Sequence, residues 1–276
     1  MKYWFLFALP AMIFFLLFVG WPLLEVFRLS LYETNFITST YVGLKNYKKL
    51  LIDPAFHYAL KNSFWYCILI TLGQVGISVF ISLLCFDLSK KWQDAVRIIL
   101  YLPTLSAGII IAQSWRWIFH YDGLLNWILS LFKIKPVAFF QKSFTAIPAI
   151  SIIIITAGIG GYIIILLSAM IGIDKDIIQA AKIDGANWFQ IKIMIILPMI
   201  KKIIGMITVL SMVGSFQIFE TIYSLAPYEY SASLTYNIYR EGFQFSNYGL
   251  ASAQAVVLLF ITTILMLSKN KLERSD

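Results

Sequence analysis

The sequence contains few charges, histidines and cysteines, and each scarcity excludes a class of protein. Only 13% of its residues are charged, whereas a soluble domain carries about a quarter, so the charges cannot cover a water-facing surface. The two histidines, His57 and His120, are isolated and form no metal-ligand pattern. Cys67 and Cys85 share one apolar run and would lie about 27 Å apart along a helix, too far for a disulfide. We therefore expect no metal and no cofactor in this chain.

Long apolar runs make up most of the sequence. Hydrophobic residues account for 60% of the chain, and the mean hydropathy is +0.80. About 20 apolar residues cross the ~30 Å hydrocarbon layer, and lipid offers no partners to the backbone, so each run predicts a helix. The sequence predicts an all-α integral membrane protein with a single transmembrane domain over residues 1–276. Its six predicted spans lie at about residues 4–27, 62–86, 97–117, 147–171, 203–223 and 247–268.

The distribution of charge bears on the orientation of these spans, since six spans place both termini on one side. With the termini inside, twelve of the 22 Lys and Arg fall inside and ten outside, and Asp and Glu divide equally. The positive-inside rule therefore favours cytoplasmic termini only weakly. The net charge of +8 is explained by lysines flanking the spans and indicates no nucleic-acid partner. The first run also fits a signal peptide, but Gly20, Trp21 and Pro22 offer no small-x-small cleavage site, and we expect an uncleaved span.

Residues 173–198 form the most polar stretch between two predicted spans, with the sequence IDKDIIQAAKIDGANWFQIKIMIILP. Asp174 is a candidate N-cap for a short amphipathic helix that carries Ile177 on its apolar face. Gly185 stands where a left-handed residue would end that helix. The segment therefore predicts a first short helix that ends at the glycine.

A second helix is predicted directly after the first. Asn187 and Gln190 are spaced as N-cap and N3 residues, and Pro198 should kink the start of the fifth span. Lys175 and Lys182 lie on the polar face of the first helix. Lys192, Lys201 and Lys202 lie along the continuation of the second helix. The result is a helix-turn-helix at the membrane surface. The residues alone fit an ordinary interfacial loop somewhat better than a partner-binding element.

The same segment resembles the signature of the permeases of binding-protein-dependent ABC importers. That signature reads EAA, three residues, G, nine residues, I, any residue, LP. The matching positions here are Gln179, Ala180, Ala181, Asp184, Gly185, Ala186, Ile195, Leu197 and Pro198. Gln179 departs from the usual Glu, so a charge-assisted contact at this position would become a neutral hydrogen bond of about half the strength.

Further elements resemble the carbohydrate-type permeases, the maltose and glycerol-phosphate kind. They are VGLKNY at 42–47, DPAF at 53–56, IYREGF at 238–243 and GLASA at 249–253. The order of these elements resembles the first permease of a pair. LAPY at 225–228 stands where the family usually has TxGGP, which weakens any inference to a particular sugar.

The resemblance implies a fold, a function and a set of partners. The implied fold has six transmembrane helices of the type I ABC importer permease, with a cytoplasmic coupling helix. The implied function is translocation of a sugar or oligosaccharide across the cytoplasmic membrane of a prokaryote. Implied partners are a second permease subunit, two cytoplasmic ATPase subunits, an extracytoplasmic solute-binding protein and membrane lipid. The sequence lacks a G-x-x-x-x-G-K-[ST] loop, so ATP and Mg are expected on the ATPase partners.

Polar residues within spans are costly and often functional, and they supply candidates for a substrate pathway. Gln217 and Glu220 are three residues apart on the predicted fifth span, beside Phe216. Gln113 on the third span and Tyr162 on the fourth could join them. An aromatic ring can stack on the C–H face of a sugar, and amide and carboxylate groups can hydrogen-bond its hydroxyls. This combination of side chains is suited to sugar binding. The alternative is that Glu220 only marks the outer end of the fifth span.

Four other functions compete with a carbohydrate importer. A secondary transporter requires a buried ion relay and often internal repeats, and neither is visible. A membrane enzyme requires clustered catalytic groups, which two isolated histidines do not supply, so we expect no enzyme. A permease for amino acids or peptides shares the EAA loop but not the sugar-type elements. A permease for a non-sugar solute such as glycerol phosphate stays open.

Overall fold

The computed structural model describes residues 4–35, 37–225 and 228–273. The chain divides into two compact units, which are taken in turn. Unit one comprises Met1–Leu60 and Leu234–Thr262, and unit two comprises Lys61–Ser233 and Thr263–Asp276.

Unit one begins with an apolar helix, continues through a small hairpin and includes most of the last helix. Its elements are α1 (Trp4–Phe15), a π-helical segment (Leu16–Gly20), α2 (Trp21–Leu29), β1 (Tyr32–Thr34), β2 (Ser39–Tyr41), α3 (Lys45–Leu50), the start of α4 (Pro54–Cys85), α15 (Leu234–Tyr239), a second π-helical segment (Arg240–Gln244) and α16 (Tyr248–Glu273). The strands β1 and β2 pair antiparallel, with Tyr32 opposite Tyr41.

The first helix runs unbroken through its π-helical segment. Pro22 has no N–H to donate to the carbonyl of Phe18 four residues earlier, and the wider turn ends two residues before the proline. None of the most apolar window of Phe7–Leu29 is buried within the protein. An apolar helix with all its faces exposed requires lipid or another protein chain around it.

The VGLKNY element at residues 42–47 has a structural role in unit one. Asn46 is buried and its Nδ2 donates to the carbonyls of Ser30 and Tyr32, at 2.9 Å each. Tyr47 Oη donates to Ser30 Oγ at 2.8 Å. Gly249, at the start of α16, lies so close to the Tyr32 carbonyl that a Cβ would overlap it. These bonds fix the chain between the first helix and the hairpin.

Unit two contains the remaining helices. They are α5 (Lys90–Tyr101), a 3-10 turn (Leu102–Leu105), α6 (Gly108–Ile118), α7 (Leu124–Leu131), α8 (Ser143–Ile171), α9 (Lys175–Ile183), α10 (Trp188–Gln190), a π-helical segment (Ile191–Ile196), α11 (Leu197–Met199), α12 (Lys201–Phe216), α13 (Glu220–Leu225) and α14 (Tyr228–Ser231). The most apolar of them, α8, has buried residues on all sides, as expected of a helix at the centre of its unit.

Hydrogen bonds between helices hold α8 to its neighbours. Gln74 Nε2 on α4 donates to the carbonyl of Ile154 at 3.1 Å, and Ser211 Oγ on α12 donates to Gln74 Oε1 at 2.8 Å. Ser78 Oγ on α4 donates to the carbonyl of Ile159 at 3.3 Å. Such bonds act as polar contacts between helices where the hydrophobic effect no longer favours association.

Within the described residues, four helices are long and apolar enough to cross a membrane, and the number rises to six if each of two bent helix pairs is one span. The first bent pair, 90–105 with 108–118, meets at 99°. The predicted third span, 97–117, is therefore not one straight helix. Pro103 cannot continue the hydrogen-bond ladder, and Ser106 and Ala107 take extended backbone conformations.

The second bent pair, Trp188–Met199 with Lys201–Phe216, meets at 67°. The break falls at Ile200, two residues after Pro198, so the bend predicted at the start of the fifth span is present. The π-helical segment before Pro198 ends two residues ahead of it, as the first one does before Pro22. The predicted fifth span, 203–223, is interrupted after α12, and α13 restarts at Glu220.

Candidate functional site

The helix α9 has a capped start and a capped end. The Asp174 carboxylate accepts from the backbone N–H of Asp176 at 2.9 Å, which is the predicted N-cap. At the other end, Gly185 has a φ of +82°, and the N–H of Ala186 donates to the carbonyl of Ala181 at 2.9 Å. With the bond from Gly185 to Lys182, at 3.1 Å, this is a Schellman motif.

The next helix starts at once through a reciprocal cap. Asn187 Oδ1 accepts from the N–H of Gln190 at 2.9 Å, and Gln190 Oε1 accepts from the N–H of Asn187 at 2.7 Å. This capping box is the predicted one. Only residues 184–187 separate the two helices, so the predicted helix-turn-helix is present as a tight unit.

One side of this helix-turn-helix packs against a core that we call the Leu166 cluster. Its buried members are Leu166, Met170, Ile173, Ile191, Ile196, Ile200 and Ile207. Ile178, Ala181 and Ala186 pack against it. The predicted apolar face was wrong in detail, because Ile177 is 41% exposed and its neighbour Ile178 turns inward instead.

The opposite side of the helix-turn-helix is exposed and partly apolar. Gln179, Ala180, Asp184 and Gly185 are exposed. Large apolar side chains accompany them, and the two most exposed between residues 173 and 190 are Ile183, at 85%, and Phe189, at 63%. The signature positions therefore divide between the exposed surface and the packed face, where Ala181 and Ala186 lie. Pro198 is in neither group, since it lies further on, in α11.

A polar cluster that the sequence did not predict attaches this segment to the end of α4. Lys192 Nζ lies 2.7 Å from Asp87 Oδ2, donates to the carbonyl of Leu83, and stands 3.8 Å from the centre of the Trp188 ring. Trp188 Nε1 donates to the same Asp87 oxygen at 2.6 Å. Lys192 is only 3% exposed. The sequence analysis placed Lys192 along the continuation of the second helix and did not predict its burial.

The predicted substrate-pathway residues separate into two groups. Gln113 on α6 donates to Ser224 Oγ on α13 at 2.6 Å. On the same pair of helices the Glu220 carboxylate lies over Gly108, where an added Cβ would be 2.7 Å from Oε2. Gln113, Gln217 and Glu220 are all exposed. The structure thus brings Gln113 and Glu220 to one helix pair, with Gln217 just before α13.

The two aromatic members of the predicted pathway occupy packed positions. Phe216 is fully buried and packs edge-on against Phe64, with ring centres 5.3 Å apart. Tyr162 is half-buried and packs against the Leu166 cluster. In this conformation Phe216 presents no face to a ligand, because its ring is enclosed by protein.

An open cavity lies at the end of the α6–α13 pair. It has a volume of about 330 Å³ and is lined by Arg116, by Leu225 and by residues of the connection from α6 to α8. Phe119 packs edge-on against Phe139 and Phe140 in its wall, at 5.1 and 5.8 Å between ring centres. Arg116 follows Gln113 by one helical turn and Leu225 follows Ser224, so the cavity adjoins the Gln113–Ser224 contact.

Long apolar helices and two bent helix pairs are features of an integral membrane protein, and the capped helix-turn-helix lies between two of these helices. Comparison with known proteins identifies the family. The chain is 30% identical to the probable ABC transporter permease protein YurN of Bacillus subtilis, over 97% of this chain and 94% of that protein. The chain belongs to the family of ABC transporter permeases.

Other relatives agree with this assignment. The chain is 28% identical to the trehalose/maltose transport system permease protein MalF of Thermococcus litoralis, over 99% of this chain and 95% of that protein. A crystal structure of a bacterial ABC transporter involved in the import of the acidic polysaccharide alginate superposes with a TM-score of 0.88 at 25% identity, covering 99% of this chain and 96% of the other. No family profile matches the chain.

Proposed function

We propose that this chain is the permease subunit of an ATP-driven importer for a saccharide, and that residues 173–198 are its coupling segment. The observation that carries the coupling role is the capped helix-turn-helix with Ile183 and Phe189 on its exposed side. A protein rarely leaves a group of large apolar side chains exposed on a rigid element outside the spans unless a partner covers them. The partner that fits a permease without an ATP-binding loop is a cytoplasmic ATPase.

The rigidity of the coupling segment favours force transfer over simple adhesion. Both ends of α9 are capped. At Gly185 a side chain would meet no other atom within 4 Å, but the φ of +82° favours glycine. Movement of the exposed side therefore carries the packed side with it. Gln179 contributes a neutral hydrogen bond to the docking surface, together with Ala180, Asp184 and Gly185. Ala181, Ala186 and Pro198 would set the shape of the element.

This role implies a topology and an assembly. Each bent helix pair counts as one span, which gives six spans and places both termini in the cytoplasm with the coupling segment. The assembly contains a second permease, two ATPases that bind ATP and Mg, and a solute-binding protein outside. One solved relative is an alginate transporter in complex with a pentasaccharide-bound periplasmic protein. Residues 41–56, which include α3, and residues 228–249, which include α14 and α15, would be external segments that meet such a protein.

Gln113, Gln217 and Glu220 are the residues that we propose for the substrate pathway. Their side chains are exposed and carry the amide and carboxylate groups that read sugar hydroxyls. Phe216 and Tyr162 would contribute only in a conformation that opens the packing around them. The names of the relatives, which include trehalose, maltose and alginate systems, favour a saccharide. Glycerol phosphate is the alternative solute.

The coupling role is tested by removing one exposed apolar contact. Ile183→Ser should not unfold the protein, because the side chain is 85% exposed. It should weaken binding of the ATPase to the purified permease pair about tenfold, as expected for a contact of about 1.4 kcal/mol. Ile134→Ser, at a half-exposed isoleucine after α7, is the control and should bind normally. Unchanged ATPase affinity in Ile183→Ser would refute the coupling role.

The substrate class is tested by uptake into proteoliposomes that contain the whole complex. Labelled oligosaccharides, neutral and acidic, and labelled glycerol phosphate would be supplied with the solute-binding protein. ATP-dependent uptake of an oligosaccharide, reduced in Glu220→Ala, would support the proposal. Uptake of glycerol phosphate alone would select the alternative.

A further inference from the structure

We propose that Asp87, Trp188 and Lys192 form a joint that transmits movement of the coupling segment to α4, and that Lys192 is its positioning residue. This inference rests on the coupling role proposed above. The three residues are far apart in sequence, since Trp188 and Asp87 are separated by 101 positions. In the fold they lie where the second helix of the coupling segment meets the end of α4.

The joint differs from a surface ion pair because Lys192 is enclosed. An exposed pair samples many side-chain rotamers and contributes little. Lys192 has three N–H donors, and the structure gives its ammonium three neighbours: the Asp87 carboxylate, the Leu83 carbonyl and the Trp188 ring. The Leu83 carbonyl belongs to the last turn of α4, which has no helical partner for its final carbonyls. The ammonium is held from three directions and has little freedom to move.

The contacts of the coupling segment differ in how well they transmit displacement. Ile178 and Ala181 on α9 touch the Leu166 cluster through apolar contacts, which are non-directional and permit sliding. The bonds of Trp188 and Lys192 depend on distance and angle. These two residues are four positions apart and therefore lie on one helical face. A displacement of the segment reaches α4 through them first.

The end of α4 is connected in turn to the rest of unit two. Gln74, on the same helix, bonds to α8 and to Ser211 on α12. A path of directional contacts therefore runs from the capped turn through Lys192 to three long helices. An apolar side chain in place of a buried lysine is often equally stabilising, so folding alone does not require a lysine here. A lysine supplies directional hydrogen bonds at this position, and an apolar side chain would not.

The test separates transport from ATP hydrolysis. Lys192→Met keeps the length of the side chain and leaves no buried charge, because the Asp87 side chain is 50% exposed. In proteoliposomes with the ATPase, second permease and solute-binding protein, this variant should hydrolyse ATP within about twofold of the native rate. Uptake per ATP hydrolysed should fall at least about tenfold. Lys202→Met, at an exposed lysine just beyond the segment, is the matched control and should keep the native ratio.

A native ratio of uptake to hydrolysis in Lys192→Met would overturn the proposal, as would a parallel loss of both activities in an assembled complex. If Lys192→Met fails to assemble, Trp188→Phe decides the question. That variant keeps a ring beside Lys192 but removes the N–H bond to Asp87, and an unchanged ratio would overturn the proposal. Failure of Ile183→Ser to weaken ATPase binding would instead remove the coupling role itself.

Discussion

Replacing Gly160 with alanine is expected to force α8 away from the end of α5. A Cβ on Gly160 would lie 2.7 Å from Tyr101 Cα and closer still to the Leu100 carbonyl. Ordinary van der Waals contact begins at 3.4 Å, so clearing Tyr101 Cα alone takes about 0.7 Å, and clearing the Leu100 carbonyl requires the two backbones to separate further. The obstructing atoms belong to the backbone, and no side-chain rotation relieves the contact.

The neighbouring Gly161 supplies a matched control in the same helix. A Cβ there meets nothing within 4 Å. Both substitutions gain about 0.5–1 kcal/mol because alanine favours the helix more than glycine does. Only Gly160→Ala also overpacks the contact between α5 and α8. This overpacking should cost about 3 kcal/mol of stability, at the upper end of the usual range, because backbone atoms must move. The two variants should therefore differ by about 3 kcal/mol in stability, with Gly161→Ala at or above the native protein.

A thermal-shift assay on the detergent-solubilised protein measures this difference. At ~2–4 °C per kcal/mol for a large domain, the midpoints should differ by about 6–12 °C. If unfolding is irreversible, the inactivation half-lives at a fixed temperature give the same ranking. Equal midpoints for the two variants would show that α5 and α8 do not approach each other at Gly160. Uptake should fall only in Gly160→Ala, because the 3-10 turn that follows α5 is bonded to α8 through Thr104 and Ala157.

Three further predictions concern other contacts. Asp87→Ala should destabilise the protein by about 2–4 kcal/mol, more than Lys192→Met, because it leaves a buried ammonium without its carboxylate; a thermal-shift comparison of the two variants tests this, and equal shifts would contradict it. Asn46→Ala should cost about 1–3 kcal/mol by leaving two carbonyls unpaired, and Asn46→Asp should cost more because it places a carboxylate against them; a milder effect of Asp, in the same assay, would refute the arrangement. In inverted and right-side-out vesicles, Gln217→Cys should react with a water-soluble thiol reagent and Phe216→Cys should not, because Gln217 is exposed and Phe216 is buried. The two native cysteines are buried and should add little background labelling. Equal labelling of the two variants would contradict the burial of Phe216.

Local chemistry predicted the turn of the coupling segment well. The N-cap at Asp174, the left-handed residue Gly185 and the box of Asn187 with Gln190 each depend on residues within four positions of one another. Such interactions form whenever the local backbone allows them. The sequence therefore carried enough information to place two helices and the turn between them.

Hydropathy could not predict the interruptions in the third and fifth spans. The mean hydropathy of a window depends only on its residues, so a bent apolar helix and a straight one have the same value. Pro103 was a visible signal for the first break, but Gln217 and Glu220 look like neighbours on one helix. The burial of Lys192 was equally hidden, because its partner Asp87 comes from a different part of the sequence. Contacts of this kind follow from tertiary packing and have no local pattern.

The two interruptions add an argument from the backbone to the proposed substrate pathway. The break after α5 leads into α6, the break after α12 leads into α13, and α6 contacts α13 through Gln113 and Ser224. Broken helices leave backbone groups unpaired, which lipid does not tolerate but a protein-lined, water-accessible space does. Two breaks that meet on one helix pair therefore indicate such a space beside Glu220. The polar residues proposed for the pathway and the two breaks in the backbone thus lie on the same helix pair.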